Sequence, residues 1–371
     1  MFDLWLSRSL FDSHYTFCGI VEIHVFPLSI CFSSCKTLFF VRMNLKEIIS
    51  TVQAERERQG LSRSEVARRG GFANESGVRR IERADHEPKF DTLQRYANAV
   101  GVQLKLEMDG TRVLTFFNHV GGAGKTSSVR EVGYMLAQSG FRVLLIDVDP
   151  QANLTNWLGV KNSVNLDQTV YPAIIRAVEG DELALPTPLR VHGLDLIPSN
   201  VNIAKIEPSL VGAIMGITRL RDAVRKLANY DFVLLDPPPS LGQLSASAVI
   251  AADQVVVPVP TTNKGIEGLS TVVGMIKEYR QAAPNLKIAF FLVTRHDSRT
   301  KHNKVALEKI RNELSTLAPI SSPVNARPAV YQDSQATGTP IPLFSANSEA
   351  HNEIRTVTNE LLEALGVNVS V

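Results

Sequence analysis

Two periods of apolar and polar residues run along this chain, and the place where one gives way to the other divides it. Between Asn44 and Leu106 the spacing is helical. Leu45, Ile48, Ile49 and Val52 make one apolar stripe, Gly60 stops that helix, and Ser62 with Glu65 has the spacing of a capping box for a second. A turn through Gly70, Gly71 and Phe72 leads to a third helix opening near Asn74, with Val78 and Ile81 facing inward and Arg79, Arg80 and Arg83 outward. A fourth, residues 92–100, turns Leu93, Tyr96, Ala97 and Val100 inward before Gly101 closes it.

After residue 110 the pattern changes to solid apolar runs of strand length separated by amphipathic stretches. Strands are predicted near 113–117 and over 142–149, 195–198, 230–236, 254–260 and 287–294, with helices over 128–139, 218–227, 269–282, 301–317 and 348–365. Strands that are apolar on both faces belong to a parallel sheet covered on both sides, and strand–helix–strand units cross over right-handed. The expected fold class is therefore α/β, a doubly wound mostly parallel sheet, preceded by a small all-α domain; the motifs below make these a P-loop fold and a helix-turn-helix. The expected division is 1–42 as an unassigned extension, 43–108 as the helical domain and 109–371 as the α/β domain.

The chemistry concentrates where the first strand of the α/β domain ends. Gly121, Gly122, Ala123, Gly124, Lys125, Thr126 and Ser127 connect that strand to a helix. Backbone amides in such a turn point at an anion, and the positive end of the helix dipole adds to them. Lys125 would reach the β- and γ-phosphates of a nucleotide and Thr126 would hold Mg²⁺. Glycines also serve tight turns that hold no ligand, but here an apolar strand precedes and a helix follows, which puts the turn at the sheet edge where ligands bind. Asp236 ends the strand over 230–236 and fits a Mg²⁺ site reached directly or through water. Asp147 and Asp149 stand two residues apart at the end of another strand and are expected to have different roles.

These segments, G-G-A-G-K-T-S at 121–127, D-V-D-P-Q-A-N-L-T at 147–155, L-L-D-P-P-P-S-L-G at 234–242 and A-D-Q-V-V-V-P-V at 252–259, resemble the ParA family of deviant Walker-type partition ATPases. The resemblance implies ATP and Mg²⁺ as cofactors, with Lys125 and Asp149 catalytic, Asp149 positioning the attacking water. It further implies Thr126, Asp147 and Asp236 around the metal, Asp236 being the Walker B carboxylate. A homodimer closed over nucleotide, non-specific DNA binding and a ParB-like centromere-binding partner that stimulates slow hydrolysis also follow from it. One position departs: the family's signature lysine, which precedes the paired glycines and crosses to the other subunit's nucleotide, is Val120 here. His119 beside it is shorter and mostly neutral at pH 7. Losing a charged contact to a transferring phosphoryl group slows hydrolysis by orders of magnitude and leaves binding largely intact, so a weak ATPase is expected.

The helical segments G-L-S-R-S-E-V-A-R-R, V-R-R-I-E-R-A and T-L-Q-R-Y-A-N-A-V-G-V resemble the Xre-type helix-turn-helix of lambda-repressor-like proteins. The resemblance puts the second motif helix in the major groove, Glu75, Ser76 and Arg79 toward base edges and Arg80 and Arg83 toward phosphate. The partners so implied are an operator, read by this domain, and nucleoid DNA, held by the ATPase dimer. The competing reading is a nucleotide-responsive transcriptional repressor with little or no hydrolysis, and Val120 favours it.

Composition adds limits. Lys and Arg total 39 against 37 Asp and Glu, so DNA binding has to come from local patches such as Arg295, Arg299, Lys301, Lys304, Lys309 and Arg311. No apolar run is long enough to span a bilayer, and the last helix carries Glu349, Glu353, Glu360 and Glu363, an acidic face that anionic lipid repels. Membrane attachment is not expected; a cytoplasmic, nucleoid-associated protein is. His296 beside Asp297 reads as a surface turn pair. Residues 1–42 hold all three cysteines, without the partners a zinc site needs and without the basic start and clean apolar core of a secretory signal. They read as an extension that does not fold, with Met43 as the natural start.

Overall fold

The structure is a computed structural model and describes residues 21–27, 45–83, 88, 90–108, 110–160, 164–175, 184–211 and 216–367. It opens with β1 (Val21–Pro27), followed by α1 (Leu45–Arg58), α2 (Arg63–Arg69), α3 (Glu75–Arg83), α4 (Phe90–Ala99) and β2 (Val102–Met108). The four helices fall where the apolar spacing puts them. Ile48, Ile49, Val52, Val66, Val78, Ile81, Leu93, Tyr96, Ala97 and Val100 are buried together between them. β1 departs from the expectation of an unfolded extension: residues 21–27 pair antiparallel with β2, Val21 opposite Met108 and Pro27 opposite Val102. A strand that short, interrupted by Glu22 and His24, has no readable period until its partner is known. The rest of 1–42 lies outside the described residues.

One buried carboxylate fastens the helical unit. Glu82 on α3 accepts from Arg56 Nε at 2.7 Å, Arg63 Nε at 2.6 Å and the Tyr96 hydroxyl at 2.9 Å, which joins all four helices. Its side chain is 3 % exposed and that of Arg56 8 %. The capping box foreseen at Ser62 is half made: Ser62 Oγ accepts from the Glu65 amide at 3.1 Å, while the Glu65 carboxylate turns to Arg68 and Arg69.

The α/β domain contains β3 (Arg112–Phe116), α5 (Lys125–Gln138), β4 (Val143–Asp147), α6 (Asn153–Trp157), α7 (Tyr171–Ile175), β5 (Leu189–Val191), β6 (Leu194–Ile197) and α8 (Ile206–Val211). After these come α9 (Arg219–Val224), β7 (Phe232–Asp236), α10 (Gln243–Ala251), β8 (Gln254–Pro260), α11 (Asn263–Glu267), α12 (Leu269–Tyr279) and β9 (Lys287–Thr294). α13 (Lys301–Leu314), α14 (Pro328–Thr337), α15 (Ile341–Phe344) and α16 (Glu349–Ala364) complete it. The sheet runs β5-β6-β4-β7-β3-β8-β9, and its pairings are parallel apart from β5 with β6. Both faces are covered, and alternate residues of one strand serve opposite cores: Phe232 and Leu234 pack on the side of α5 and α16, Val233 and Leu235 on the other. The edge strand β5 and helices α14 and α15 were not legible as periods, because β5 is three residues long and α14 opens with a proline.

The order of strands places the chemistry. β7 lies between β4 and β3, so the turn after β3 and the ends of β4 and β7 meet at one carboxyl edge. Asp147 and Asp236 are register partners across β4 and β7.

Replacing Glu82 with Ala is expected to leave the Arg56 guanidinium buried without its partner and to destabilise the helical unit by about 3–5 kcal/mol. Two-probe denaturant unfolding of the whole chain checks this: the helical unit's transition should move to lower denaturant while that of the sheet domain stays in place.

Candidate functional site

The turn between β3 and α5 owes its shape to glycine. Gly122 and Gly124 have φ of 73° and 91°, and Gly124 is the N-terminal cap residue of α5 without a side chain to close it. The open amides at that end are the ones the sequence reading turns toward an anion. Neighbouring strands hold the turn in place: Thr294 Oγ1 donates to the Ala123 carbonyl at 2.8 Å, Arg295 donates to the Gly122 carbonyl at 2.8 Å, and Asn118 spans from the Val120 amide to the Pro258 carbonyl.

A cavity of ≈ 430 Å³ opens beside the turn. Gly122, Ala123, Gly124, Lys125, Thr126 and Ser127 line it, as does Asp149, while Gly121 is exposed outside the lining. Asp147 and Asp236 are fully buried behind it. The two strand-end aspartates are treated differently. Asp147 Oδ2 accepts from the Thr155 amide at 2.9 Å and the Thr155 hydroxyl at 2.7 Å, and Oδ1 accepts from the Asp149 amide at 3.2 Å. β4 ends at Asp147, so Asp149 lies beyond the strand, and its carboxylate accepts from the Gln151 amide at 2.9 Å and faces the cavity. Neither carboxylate oxygen of Asp236 has a hydrogen-bond partner. The Thr126 hydroxyl lies close enough to lower its pKa without meeting hydrogen-bond geometry.

Charge follows from that arrangement. Burial, reinforced by Asp147, pushes the Asp236 carboxyl well above the usual carboxylate range, with Thr126 and Lys125 opposing. Burial likewise raises Asp147 to about 7 despite its three hydrogen bonds. Burial lowers Lys125, only partly offset by the charges of Asp236 and Asp149. A buried carboxylate with two unused oxygens next to a hydroxyl is a donor set that suits Mg²⁺, which takes oxygen ligands and keeps several waters. Asp236 and Thr126 would hold the ion, and Asp147, already occupied, would orient the loop that carries Asp149 and Thr155.

The far wall was missed by the sequence reading. Val324, Asn325, Ala326, Arg327, Tyr331 and Gln335 line it, with Ile354 and Val357 of α16. Two of the glutamates read as an acidic outer face, Glu353 and Glu360, turn toward it, and Glu349 reaches it from an exposed position. Glu353 accepts from the Asn325 amide at 3.0 Å and from Arg327 at 2.5 Å, Glu349 accepts from Arg327 at 3.0 Å, and Glu360 accepts from the Ser322 amide at 2.8 Å. Burial raises the Glu353 pKa, but Arg327 and Asn325 outweigh it and hold the group ionised below its ordinary value. Fully buried Arg130 donates to Glu131, the Trp157 carbonyl and Ser334, and Glu131 accepts from the Ile341 amide, so α5, α6, α14 and α15 share one polar knot. His296 is another correction: it is buried rather than on a surface turn, and Asp297 pairs with Arg299 instead. The signal that could have found Thr294 and Arg295 is their place at the carboxyl end of a buried parallel strand.

The side chain of Val120 packs toward α11 and α12, since a Cβ on Gly268 would lie 2.8 Å from its methyl and 3.1 Å from the His119 ring. On α3, Glu75, Ser76, Arg79, Arg80 and Arg83 are all exposed on one helix. Glu75 accepts from Ser64 of α2 at 2.9 Å and from Arg79 at 3.1 Å, which steadies the start of the helix. Arg95 donates to the Gly70 and Gly71 carbonyls and stacks over Phe72 at 4.7 Å, closing the short turn between α2 and α3.

Protons held by Asp147 and Asp236 in the fold are released on unfolding, so without a cation stability should fall as pH rises from the carboxylate range to about 7. Asp236→Asn removes the buried charge; it should stabilise the cation-free protein at pH 8 by about 1–3 kcal/mol and abolish stabilisation by Mg²⁺ with nucleotide. Thermal melts of both proteins with and without Mg²⁺ and nucleotide check both outcomes.

The family model for an AAA domain matches residues 111–288, and that for a helix-turn-helix matches residues 52–106. A probable plasmid-partitioning protein ParA of Thermus thermophilus is 39 % identical over 312 residues, 81 % of this chain and 92 % of that protein. The sporulation initiation inhibitor protein Soj of Bacillus subtilis is 31 % identical, covering 65 % of this chain and 99 % of its own. Among solved structures, cobyrinic acid a,c-diamide synthase of Mycobacterium smegmatis with bound ADP and magnesium is 27 % identical with a TM-score of 0.57, over 70 % of this chain and 98 % of that one. The McdA–ATP complex of Cyanothece has the same fold at 24 % identity, a TM-score of 0.61 and coverage of 71 % and 99 %. A P-loop cavity at the end of β3, carboxylates at the ends of β4 and β7 and relatives matched over nearly all of their own length agree: the chain belongs to the ParA/Soj family of partition ATPases, with a helix-turn-helix domain ahead of the P-loop domain.

Proposed function

We propose that this chain is a DNA partition protein that binds ATP with Mg²⁺ in the cavity beside Gly122–Ser127, closes as a homodimer over it, and holds DNA in that state. The observation that carries the reading is the pair of unused carboxylate oxygens on Asp236 behind Lys125 and Thr126. Bound Mg²⁺ would neutralise phosphate charge and orient the terminal phosphate. Lys125 supplies charge to the β- and γ-phosphates, and the amides of the turn bind the same anion. Asp149, open to the cavity, orients a water for attack. Val120 carries no charge to phosphate and is packed toward Gly268, so turnover is slow.

The helical domain reads the operator of its own operon through α3. Glu75 and Ser76 lie at its start and Arg79 one turn on, toward base edges, and Arg80 and Arg83 follow on the exposed face toward phosphates. Non-specific DNA binding by the ATPase dimer draws on Lys301 and Lys304 more than on Arg299, Lys309 and Arg311, which have carboxylate neighbours. A ParB-type centromere-binding protein is the partner that speeds hydrolysis and releases DNA, and the complex works in the cytoplasm on the nucleoid. No helix among the described residues is long and apolar enough to cross a membrane.

Val120 also supports a second reading, a transcriptional repressor for which nucleotide is a ligand and not a substrate. Purified protein distinguishes them. Lys125→Ala should abolish ATP binding in calorimetry. Basal hydrolysis should be slow or absent in the unaltered protein and rise with a centromere-binding partner and DNA. Fast unstimulated hydrolysis removed by Lys125→Ala contradicts the role given to Val120, and an operator affinity that responds to ATP with no stimulated turnover favours the repressor. In operator titrations, Arg79→Ala should relax sequence preference, costing about 1–3 kcal/mol at one base pair, while Arg80→Ala should weaken all sequences alike and reduce the salt slope by about one.

A further inference from the structure

Arg295 stands at the carboxyl end of β9 with φ of 52°, a left-handed conformation that a long side chain adopts only where its surroundings enforce it. From there its guanidinium reaches across to the phosphate turn and donates to the Gly122 carbonyl at 2.8 Å, so near that a Cβ on Gly122 would lie 3.0 Å from it. The residue is exposed and lines the same cavity as Lys125 and Thr126. No ion pair with a carboxylate of the described residues engages it, whereas Arg327, the other arginine of the lining, is held by Glu353 and Glu349.

The charges at this edge are out of balance. Asp149 and Asp236 are the carboxyl groups that act on Lys125, and a bound triphosphate adds negative charge that one metal ion and that lysine do not neutralise. A guanidinium offers up to five donors in a planar fork, and one carbonyl uses a single donor. Moving from that carbonyl to phosphate oxygens would exchange a neutral acceptor for charged ones, which make shorter and stronger hydrogen bonds.

We propose that Arg295 is a phosphate ligand acting within its own chain, parked on the Gly122 carbonyl in the free protein and turned onto the β- and γ-phosphates when nucleotide enters. The inference rests on the nucleotide reading above and adds to it the residue that makes the site prefer more phosphates over fewer. The strained backbone at Arg295 and the pair of bonds from Thr294 and Arg295 keep the guanidinium at the mouth of the turn. Arg295 is then both a clasp on the empty turn and a gauge of phosphate number.

The test is competition of AMP, ADP and ATP, with Mg²⁺, against a fluorescent ATP analogue on the full chain. Two variants separate charge from clasp. Arg295→Gln keeps an N–H for the Gly122 carbonyl but no charge; it should bind ATP about tenfold more weakly, ADP several-fold more weakly and AMP as before. Arg295→Lys keeps the charge and should stay within about threefold of the unaltered protein for ATP. Equal losses for the three nucleotides in either variant, or Arg295→Gln matching the unaltered protein, overturn the proposal and leave Arg295 a brace of the turn. If the unaltered protein takes up no nucleotide, the nucleotide site itself fails; if it binds and only the graded loss is missing, the failure belongs to Arg295 alone.

Discussion

Two carboxylates from neighbouring parallel strands are buried side by side at the edge of this sheet, and one of them has nothing to bond. Asp147 and Asp236 are register partners, so their repulsion is set by the backbone and cannot be relieved by a rotamer change alone. The fold keeps Asp147 satisfied through Thr155 and the Asp149 amide and leaves Asp236 as the acceptor with capacity to spare. An isolated carboxylate in such a place destabilises a protein. Its retention makes sense as the half of a site whose other half arrives with the ligand, and the glycine turn, Lys125 and Thr126 are arranged around the same point.

Much of this was legible in the sequence because it depends on local rules. Solid apolar runs ending in aspartate, a glycine turn at the start of a helix and the stripes of α1 to α4 each follow from a few adjacent residues. What was not legible depends on chain segments far apart in sequence. Glu353 and Glu360 look like a solvated face in a helical projection, and only the packing of α16 on α5 and β9 turns them to the 322–327 segment. Glu82 has no local pattern to mark it, although it joins four helices. The pairing of β1 with β2 brings together residues some eighty positions apart, and neither strand has a period strong enough to announce it.

The cavity is thus made of two kinds of wall. The side toward β3, β4 and β7 is backbone and strand-end residues whose positions follow from the order of the sheet. The opposite side is irregular chain from Val324 to Arg327, held by glutamates of α16, and helix α14 behind it, tied by Ser334 to Arg130. The first wall can change little without breaking the sheet. The second depends on ion pairs and a few hydrogen bonds, so it is where members of one family can differ in what they accept.

Gly133, just over two turns into α5, is pressed so closely to the sheet that a methyl there would lie 2.6 Å from Leu145 and 3.4 Å from Leu234. The helix therefore rests on its strands with no spacer, and sliding or rolling it would drive backbone into leucine. The helix that faces the ligand is therefore fixed to the sheet as firmly as the strands are to one another.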